Sequence, residues 1–428
     1  MEYPKNLGLC TDLYELTMAQ SYLYEGKTGT AVFSLFVRKL PKNRNFLVSA
    51  GLETLIKRLE SFRFSEEELK YLRSLGIFKE DFLDYLRDFE FRGNLYAIPE
   101  GRIYFQSEPV VQVEASLPEA QILETLVINT IQFESLIASK AVRSYLVAKG
   151  RKLIDFGFRR AHGLEAGILA ARASYIAGFD GTSNVEAGRL FGIPVVGTMA
   201  HSYVMIFESE EEAFRAFARL YPDRTIFLID TYDTTLAAKK VVELAKEGVP
   251  VVGVRIDSGD VVELSKEVRK TLDQAGLKEV RIVVSGGADE YEIKRWLEEG
   301  APIDAFGVGT KFITSADAPY LDIAYKLVEY EGKPKYKLSP GKKTFPYKRQ
   351  VYRHYENGKF SYDEVVRYEK EKEGEKLVEK IVENGRLVKA LPSLKEIREV
   401  LMEELQRLPE ELKDIEKPAE YRVIVEES

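Results

Sequence analysis

The sequence predicts an α/β protein built around an irregular β/α barrel. Through the centre of the chain, short and nearly continuous apolar runs alternate with amphipathic segments. Strands that are apolar on both faces and joined by helices indicate a parallel sheet covered by helices. We expect an N-terminal α/β domain over 1–118, joined by strands from 321–392. The barrel is expected over 119–320, with a C-terminal helical extension packed on the structure over 393–428.

The N-terminal segment is predicted to form a small α/β unit. Apolar residues recur at helical spacing in Thr11–Leu23, with Thr11 as the N-cap. Thr30–Leu40 is rich in strand-forming residues and is predicted to be a strand. Two helices (Ser49–Leu59 and Ser65–Leu75), three short strands (Asn94–Ala97, Arg102–Phe105 and Val110–Ala115) and a long helical stretch (Pro118–Lys149) complete the segment.

Seven apolar runs in the centre are predicted to be parallel strands. They are residues 152–157, 178–181, 194–200, 225–230, 250–257, 281–287 and 303–309. Helices are expected at Glu211–Leu220, Thr234–Glu247, Val261–Ala275 and Glu290–Glu299. Seven such units fit a β/α barrel, and an open doubly wound sheet is the alternative. No G-x-G-x-x-G motif follows the first run, which disfavours a dinucleotide-binding fold.

The C-terminal part of the chain has a different pattern. Strands are expected in YKLVEY (325–330), PKYKLS (334–339) and QVYRHY (350–355), followed by a charged hairpin-like region at Glu364–Leu387. Leu394–Leu408 is predicted to be a helix that Pro409 ends. This part contains few candidate chemical groups.

Composition excludes several classes of protein. The net charge of -7 and the pI of about 5.5 argue against a nucleic-acid-binding protein, which needs a basic face. No stretch approaches ~20 apolar residues, so no membrane span is expected, and the N-terminal residues lack a signal-peptide pattern. The single cysteine, Cys10, forms neither an internal disulfide nor a cysteine zinc cluster. We expect a cytoplasmic protein without bound zinc.

The proportion of charged residues also bears on the temperature at which the protein works. They make up 31% of the chain, whereas Cys, Met and His are scarce. This composition is typical of thermophile proteins. A mesophilic protein with a highly charged C-terminal part is the alternative.

Polar or glycine-rich clusters follow all the predicted central strands. They are residues 155–163, 179–184, 197–202, 230–234, 255–260, 285–289 and 307–311. In β/α folds the binding site lies at the C-terminal ends of the strands. Because the clusters share this position, the sequence predicts one site assembled from many loops.

Two glycine clusters on successive strands predict phosphate binding. Gly286-Gly287 and the segment 307–310 leave backbone N–H groups accessible where a side chain would block a ligand. Tight turns without a ligand are the structural alternative. Many barrels bind phosphate in this way, so the glycines do not identify a reaction.

Three side chains at the C-terminal ends of the predicted strands are candidates for catalysis or ligand binding. Arg255 and Asp257 alternate along one predicted strand, and they suit a phosphate and a ribose diol respectively; an internal salt bridge is the alternative. His201 follows another strand, and Asp230 and Asp233 close the next one. A histidine oriented by a carboxylate acts as nucleophile or proton carrier, and a structural histidine is the alternative.

The triplet Asp155–Gly157 reads DFG, as in protein kinases. A kinase is excluded because no glycine-rich loop with a following strand lysine and no H-R-D loop occur. Arg159 and Arg160 beyond the triplet are therefore interpreted as anion-binding groups, against the alternative of a solvated charge pair.

Nine motifs in order resemble the nicotinate phosphoribosyltransferase family. They are DLYELTM (12–18), FSLFVRKLP (33–41), DFGFRRAHG (155–163), FDGTSNV (179–185), GTMAHS (197–202), DTYDT (230–234), RIDSGD (255–260), VSGG (284–287) and FGVGT (306–310). The resemblance implies a type II phosphoribosyltransferase fold. It also implies condensation of nicotinate with phosphoribosyl pyrophosphate, using magnesium, to nicotinate mononucleotide and pyrophosphate. ATP hydrolysis is implied to be coupled through a phosphohistidine, within the Preiss–Handler salvage route of NAD biosynthesis.

The resemblance implies roles for the residues that meet the phosphoribosyl donor and ATP. His201 corresponds to the phosphohistidine, with Asp230 as its orienting partner. Arg255 and Asp257 correspond to positions that hold the phosphoribosyl group. The loops implied to bind its 5-phosphate contain Gly286, Gly287, Gly309 and Thr310.

The resemblance also implies how nicotinate is bound. Phe156 corresponds to an aromatic that stacks on the pyridine ring, and Tyr14 to its opposite face, supplied by the other subunit of a homodimer or higher oligomer. Arg159 is implied to meet substrate or donor anions. Arg38 and Lys39 resemble anion-contacting groups that reach across the dimer.

Ser183 is the residue that most favours nicotinate as the substrate. Nicotinamide-using relatives have an aspartate at this position, which accepts from the amide, whereas a serine hydroxyl donates to a carboxylate. Transferases that use nicotinamide or quinolinate remain alternatives. A phosphate-binding aldolase or isomerase is the third, although its expected lysine has only Lys311 as a candidate, beyond the strand.

Overall fold

The computed structural model describes residues 6–337 and 344–427. Its contacts divide the chain into two compact units. The first contains Met1–Ser139 and Tyr320–Ser428, and the second contains Lys140–Pro319. The end of the predicted strand 334–339 lies outside the described residues.

The strands and helices are numbered in chain order. The strands are β1 (Thr30–Lys39), β2 (Leu47–Val48), β3 (Asn94–Ala97), β4 (Ile103–Tyr104), β5 (Pro109–Ser116), β6 (Lys152–Asp155), β7 (Gly181–Thr182), β8 (Ile226–Leu228), β9 (Gly253–Ile256), β10 (Arg281–Val284), β11 (Ala305–Val308), β12 (Asp322–Tyr330), β13 (Lys333–Pro334), β14 (Arg349–Glu356), β15 (Lys359–Arg367), β16 (Glu375–Lys376), β17 (Glu379–Glu383), β18 (Arg386–Leu387) and β19 (Val423–Val425). The helices are α1 (Leu13–Tyr24), α2 (Leu52–Glu60), α3 (Glu66–Ser74), α4 (Glu80–Arg87), α5 (Leu117–Ile122), α6 (Glu124–Val147), α7 (Leu164–Ile176), α8 (Val185–Phe191), α9 (His201–Met205), α10 (Glu210–Leu220), α11 (Thr234–Lys246), α12 (Val261–Gln274), α13 (Glu290–Glu298), α14 (Thr310–Ile313) and α15 (Leu394–Arg407). Short 3-10 helices occur at Phe158–Arg160, Pro222–Arg224 and Glu410–Lys413.

The largest sheet of the first unit combines strands from both of its chain segments. Its order is β13-β12-β1-β5-β3-β17-β18. β1 pairs antiparallel with β12 on one side and with β5 on the other. Phe33 of β1 stacks on Tyr325 of β12 with ring centroids 4.8 Å apart. The predicted strand Thr30–Leu40 is thus confirmed, and seven of the ten residues of β1 are buried because the strand has a neighbour on each side.

A second sheet of the first unit is built around a buried ionic network. Its order is β16-β14-β15-β19, with β19 parallel to β15. The guanidinium of Arg353 is fully buried and pairs with Asp363 at 2.7 Å and with Glu404 at 2.9 Å. The Tyr421 hydroxyl donates to Asp363 at 2.9 Å. The segment before β19 is therefore attached to this sheet by a partly buried hydrogen bond.

One predicted cap in the first unit was wrong. Asp12, and not Thr11, is the N-cap residue of α1, and its side chain makes no capping hydrogen bond. The Thr11 hydroxyl donates instead to the carboxylate of the buried Glu15 and to the backbone oxygen of Ile122 at 3.2 Å. Thr11 thus satisfies a buried carboxylate rather than the helix terminus.

The second unit contains six parallel strands in the order β7-β6-β11-β10-β9-β8. Except for β7 and β8, strands that follow each other along the chain are neighbours, and the first of them, β6, pairs with the last, β11. This is the strand order of a β/α barrel that is interrupted between β7 and β8. It differs from the open doubly wound sheet, in which the strand order reverses at a switch point.

The predicted strand at 194–200 was wrong. Only one bridge forms there, between Val195 and Thr182 of β7. Pro194 has no N–H to donate to a ladder, and Val195 is 41% exposed. The chain then turns into α9 at His201. An apolar run was mistaken for a buried strand, and it lies at the interruption of the barrel.

Four helices of the second unit, α10, α11, α12 and α13, agree closely with their predicted positions, whereas the short helix α14 had not been predicted. The helices α7, α8 and α9 had not been predicted either, and the short helices α8 and α9 lie between β7 and β8 in the chain. Within the described ranges, no helix has the length and apolarity that crossing a membrane requires.

Candidate active site

A cavity of about 680 Å³ lies at the C-terminal ends of the parallel strands of the second unit. Its lining comes from the loops after β6, β7, β9, β10 and β11 and from the interrupted segment before α9. The lining residues are Phe156, Arg159, Arg160, Ser183, Gly197, Thr198, Met199, Ala200, Arg255, Asp257, Ser285, Gly286, Gly287, Ala288, Gly309, Thr310 and Lys311. The structure therefore brings together most of the strand-end residues that the sequence singled out.

Phe156 borders the cavity because a glycine makes room for its ring. A Cβ atom on Gly307 of β11 would lie 2.4 Å from a ring carbon of Phe156. The backbone N–H of Phe156 donates to Val308 at 2.9 Å, which continues the pairing of β6 with β11. Arg159 and Arg160 follow in a short 3-10 helix and also line the cavity. One flat apolar ring is thus held beside two cations.

Asp155, the last residue of β6, joins the loops that carry Phe156 and Ser183. Its carboxylate is buried and accepts hydrogen bonds from the N–H of Gly157 (2.8 Å) and from the hydroxyl of Thr182 (2.7 Å). The N–H of Ser183 donates to the backbone oxygen of Asp155 at 2.8 Å. Burial raises the pKa of Asp155 to about 6, although both hydrogen bonds act to lower it. Sequence reasoning had not given this residue a role.

Gly286 and Gly287 take positions that a side chain would prevent or strain. A Cβ atom on Gly286 would overlap the backbone oxygen of Asp257, and Gly287 has a φ of +70°. Gly309 precedes the short helix α14, which begins at Thr310. All four residues of these two loops border the cavity. The backbone is therefore exposed to a ligand, as a phosphate-binding loop requires.

Arg255 and Asp257 lie side by side at the end of β9. The Arg255 guanidinium donates to the hydroxyl of Thr198 and lies 4.0 Å from an oxygen of Asp257. The Ser285 hydroxyl donates to the same carboxylate oxygen. Burial lowers the pKa of Arg255, whose Nε has no hydrogen-bond partner within the described part of the chain. The pair presents a partly desolvated cation and a more exposed carboxylate to the cavity.

His201 lies beside this pair, at the first position of α9. Its Nδ1 is 3.2 Å from the hydroxyl of Thr231, and its Nε2 is 3.8 Å from a carboxylate oxygen of both Asp230 and Asp257. The Asp230 side chain is buried and accepts from the N–H of Asp257 (3.0 Å) and the hydroxyl of Ser258 (2.5 Å). The hydrogen bond that orients the imidazole therefore comes from Thr231. An orienting role for Asp230 stays a prediction.

Several polar residues of the strand-end clusters are helix caps. Asp233 was a candidate partner of His201, but its carboxylate accepts the N–H of Leu236 at 2.9 Å and begins α11. A side-chain oxygen that accepts an N–H of the first turn stabilises a helix start. Three more residues act in the same way, namely Asn184, Asp260 and Asp289.

The other two histidines have different surroundings. His162 is exposed in the loop before α7. His354, in the first unit, stacks on Tyr362 at 4.2 Å and lies 3.0 Å from a carboxylate oxygen of Glu364. Neither borders the cavity.

Three predicted site residues belong to the first unit. Tyr14 lies on α1 with 47% of its surface exposed. Arg38 and Lys39 end β1, and Arg38 pairs with Asp322 at 3.2 Å. The cavity of the second unit does not test their roles, which stay predictions.

The whole chain is similar to one family. Residues 9–132 match the nicotinate phosphoribosyltransferase (NAPRTase) N-terminal domain, residues 151–364 the nicotinate phosphoribosyltransferase (NAPRTase) family, and residues 359–428 the nicotinate phosphoribosyltransferase C-terminal domain. Nicotinate phosphoribosyltransferase pncB2 of Mycobacterium tuberculosis is 48% identical over 413 residues, which cover 96% of this chain and 89% of the relative. Nicotinate phosphoribosyltransferase of Bacillus subtilis is 39% identical over 458 residues, covering 99% and 93%.

Solved structures give the same result. Human nicotinic acid phosphoribosyltransferase has a TM-score of 0.87 at 30% identity, covering 97% of this chain and 98% of that chain. Nicotinate-nucleotide pyrophosphorylase from Pyrococcus furiosus has a TM-score of 0.78 at 31% identity, covering 94% and 95%. The resemblance inferred from the nine motifs is confirmed: the chain belongs to the nicotinate phosphoribosyltransferase family of enzymes.

Proposed function

We propose that this protein condenses nicotinate with 5-phosphoribosyl 1-pyrophosphate to form nicotinate mononucleotide and pyrophosphate. We further propose that the reaction is coupled to ATP hydrolysis through phosphorylation of His201, as a step of the Preiss–Handler route to NAD. One observation carries the proposal. A single cavity is lined both by Phe156 and Ser183, which suit a pyridine acid, and by Arg255, Asp257 and the glycine loops, which suit a phosphoribosyl group.

Recognition of nicotinate rests on three side chains of the cavity. The Phe156 ring offers a flat face for the pyridine ring. The Ser183 hydroxyl donates a hydrogen bond to the nicotinate carboxylate, and Arg159 supplies a positive charge nearby. An aspartate in place of Ser183 would repel that carboxylate. This set favours the acid over the amide.

The phosphoribosyl donor is bound by the loops after β9, β10 and β11. The carboxylate of Asp257 accepts hydrogen bonds from the ribose hydroxyls, and Arg255 donates to a phosphate oxygen. Backbone N–H groups of the loops containing Gly286, Gly287 and Gly309 receive the 5-phosphate. These loops lie between Phe156 and Asp257 in the order of the strands, and all of them line one cavity, so the donor and the pyridine ring are proposed to meet there.

The reaction exchanges one bond at C1 for another. The lone pair of the pyridine nitrogen forms the new bond to C1, while the bond from C1 to the pyrophosphate oxygen breaks and pyrophosphate leaves with that electron pair. Positive charge develops on the ribose in the transition state, and the Asp257 carboxylate stabilises it. The attacking nitrogen carries no proton, so no general base is needed.

Magnesium is proposed to bind together with the donor. Among the described residues, no group of three or more His, Cys, Asp or Glu side chains is arranged to hold a metal ion. Mg²⁺ usually takes one or two carboxylates, water and substrate phosphates. Asp257 and Asp230 fit such a site, because Asp230 Oδ1 is buried and has no hydrogen-bond partner in the described ranges. A bound magnesium ion would neutralise charge on the pyrophosphate.

ATP coupling is proposed to act on donor binding. A ring nitrogen of His201 takes the γ-phosphoryl group of ATP, and ADP leaves. His201 is 38% exposed on its side chain and lies beside Asp257, so a phosphoryl group on the ring changes the charge next to the donor site. The proposed effect of phosphorylating His201 is to close the site and strengthen binding of the donor. His201 does not carry the phosphoribosyl group itself.

A homodimer or higher oligomer is proposed to complete the site. The exposed Tyr14 would supply the second aromatic face, and Arg38 and Lys39 would contact anions of the neighbouring subunit's site. The support is the family resemblance and the exposure of Tyr14, which is 47%.

Substrate assays test the proposal. Purified protein is incubated with labelled nicotinate, nicotinamide or quinolinate, each with phosphoribosyl pyrophosphate and Mg²⁺, with and without ATP. We expect nicotinate mononucleotide from nicotinate, with ATP raising the rate. Rapid use of nicotinamide with nicotinate inert would contradict the substrate assignment. Release of carbon dioxide from quinolinate would indicate a quinolinate phosphoribosyltransferase instead.

A further inference from the structure

Lys311 is a cation of the second unit that lies at two openings. It borders the main cavity, and it also borders an adjacent cleft of about 430 Å³. The two openings share this lysine and the backbone of Gly286 and Gly287. An ammonium group is thus present where the proposed 5-phosphate loop is open on both sides.

The partner of Lys311 is the cap residue of the next helix. Its Nζ lies 2.6 Å from Oδ2 of Asp289, whereas Oδ1 of Asp289 accepts the N–H groups of Tyr291 (3.0 Å) and Glu292 (2.8 Å). The Asp289 side chain is only 6% exposed, and that of Lys311 is 58% exposed. One carboxylate oxygen therefore caps α13 while the other holds the lysine.

The start of α13 does not depend on Lys311. The buried Glu290 accepts from Lys140 Nζ at 2.5 Å and from Arg143 Nε at 2.9 Å. Two cations of α6 thus fix the first turn of α13 from its other side. Removing the Lys311 ammonium leaves the cap bonds of Asp289 and this buried cluster in place.

The charges around the loop containing Gly286 and Gly287 indicate a function for Lys311. Asp289 is a buried carboxylate two residues after Gly287, and it would repel a phosphate dianion bound at the loop. Lys311 neutralises it. A lysine ammonium has three N–H donors, and Asp289 is its one hydrogen-bond acceptor within the described residues. The remaining donors are available to a ligand in the cavity.

We infer that Lys311 is a phosphate-binding residue of the donor site, where its ammonium bridges Asp289 and the 5-phosphate of the phosphoribosyl group. This rests on the proposed function for the identity of the donor. The inference adds one charged side chain to a subsite otherwise made of backbone N–H groups. It also explains why a carboxylate is tolerated beside that subsite.

Steady-state kinetics of Lys311→Ala, with phosphoribosyl pyrophosphate and nicotinate varied separately, test the inference. A charge-assisted hydrogen bond to phosphate contributes enough that its loss should raise the KM for the donor about tenfold or more. The KM for nicotinate should change less than about twofold. Lys311→Arg should restore most of the donor affinity, because it keeps the charge.

Two further variants separate ligand binding from a structural role. Lys246→Ala removes another exposed lysine that pairs with a carboxylate at 2.8 Å, on α11, and should leave the KM for the donor unchanged. In the double variant Asp289→Asn, Lys311→Ala, the repulsive carboxylate is also gone, so part of the lost donor affinity should return. A stability defect alone would predict no such return, since an asparagine caps the start of α13 about as well as an aspartate.

Direct binding distinguishes failure of this inference from failure of the proposed function. Titration calorimetry with ribose 5-phosphate should give a Kd about tenfold higher for Lys311→Ala than for the parent protein. If the parent enzyme converts nicotinate but Lys311→Ala keeps its KM for the donor, the inference is overturned and the function stands. If the parent enzyme is inactive with nicotinate, yet Lys311→Ala weakens ribose 5-phosphate binding, the function fails and the inference stands.

Discussion

A Cβ atom on Gly286 would lie 1.5 Å from the backbone oxygen of Asp257. The loop after β10 thus packs directly on the backbone of the loop after β9. The proposed phosphate subsite and the proposed ribose carboxylate are consequently linked by main-chain contact, and a change at one position must displace the other.

Replacing Gly286 with Ala should therefore impair donor binding more than any neighbouring glycine substitution. The new methyl group cannot coexist with the Asp257 carbonyl, so one of the two loops has to move. We expect the kcat/KM for phosphoribosyl pyrophosphate to fall by about 100-fold or more, as misplacement by roughly 1 Å can do. The measurement is the initial rate against donor concentration.

A matched glycine serves as the structural control. Gly197 borders the same cavity, but a Cβ atom there meets nothing within 4 Å. Gly197→Ala should unfold at the same denaturant concentration as the parent, whereas Gly286→Ala should unfold earlier. Equal stability and equal donor kinetics for the two variants would contradict the predicted overlap.

The buried carboxylate of Asp155 should make stability depend on pH. Burial raises its pKa to about 6 in the folded protein, above the ordinary value of about 3.9 for an unfolded chain. The folded state therefore binds the proton first as the pH falls, and stability gained by protonation is lost as the pH rises through 6. Asp155→Asn, which is neutral at every pH, removes this dependence.

The sign of the expected difference is therefore fixed. Between pH 7 and pH 5, the free energy of unfolding of the parent should increase relative to that of Asp155→Asn by about 1 kcal/mol. Trp296, the single tryptophan of the chain, is buried on α13 in the second unit, so its fluorescence reports the unfolding of this unit. A difference between the two proteins that does not vary with pH would show that Asp155 does not titrate in this range.

The sequence predicted the parallel strands well because their signal is local. β6, β8, β9, β10 and β11 are short apolar runs, and each lies inside its predicted segment. The segment 194–200 has the same composition, yet it forms one bridge only. A leading proline does not distinguish it, because the segment 250–257 begins with Pro250 and still contains β9. What distinguishes it is its exposed position at the interruption of the barrel, and exposure depends on partners far away in sequence.

The candidate site was predicted in outline for the same reason. Position at a strand end identified Arg255, Asp257 and both glycine loops. It did not separate Asp230, which faces His201, from Asp233, which lies three residues further along the chain and caps α11. A carboxylate followed by a helical pattern is itself a capping signal, and applying it to each cluster would have removed Asp233.

The sequence patterns did not predict contacts between residues that are far apart along the chain. The hydrogen bond between His201 and Thr231 joins residues 30 positions apart, and that between Arg255 and Thr198 joins residues 57 apart. In the first unit, β19 pairs with β15 and the buried Arg353 network assembles from separate segments. No local pattern encodes these pairings, because they depend on how the sheets are arranged.

Ser183→Asp should reverse the preference between acid and amide. The new carboxylate would lie where the proposed nicotinate carboxylate binds, and two like charges in a partly desolvated site repel by several kcal/mol. We expect the kcat/KM for nicotinate to fall by at least about 100-fold and turnover of nicotinamide to increase. The measurement is product formation from each labelled base with the donor in excess.

Ser183→Ala is the control for loss of the hydroxyl without a new charge. It should reduce the kcat/KM for nicotinate by about tenfold, in line with one hydrogen bond to a charged group, and it should not create nicotinamide activity. If Ser183→Asp used nicotinate as efficiently as the parent, Ser183 would not contact the carboxylate of the substrate.

His201→Ala should uncouple the transfer reaction from ATP. The Phe156, Asp257 and glycine-loop positions do not require the imidazole, so slow turnover of nicotinate without ATP should persist. The stimulation by ATP should disappear, because the ring nitrogen that accepts the phosphoryl group is missing. The measurements are the rate with and without ATP and the retention of label from γ-labelled ATP on the protein.

The other histidines of the chain provide the matched controls for that experiment. His162→Ala changes an exposed loop residue and His354→Ala removes a ring stacked on Tyr362 in the first unit, and neither borders the cavity. Both variants should keep the acid-labile, base-stable phosphate label, and His201→Ala should lose it. Label retained by His201→Ala together with full ATP stimulation would place the phosphorylated group elsewhere in the protein.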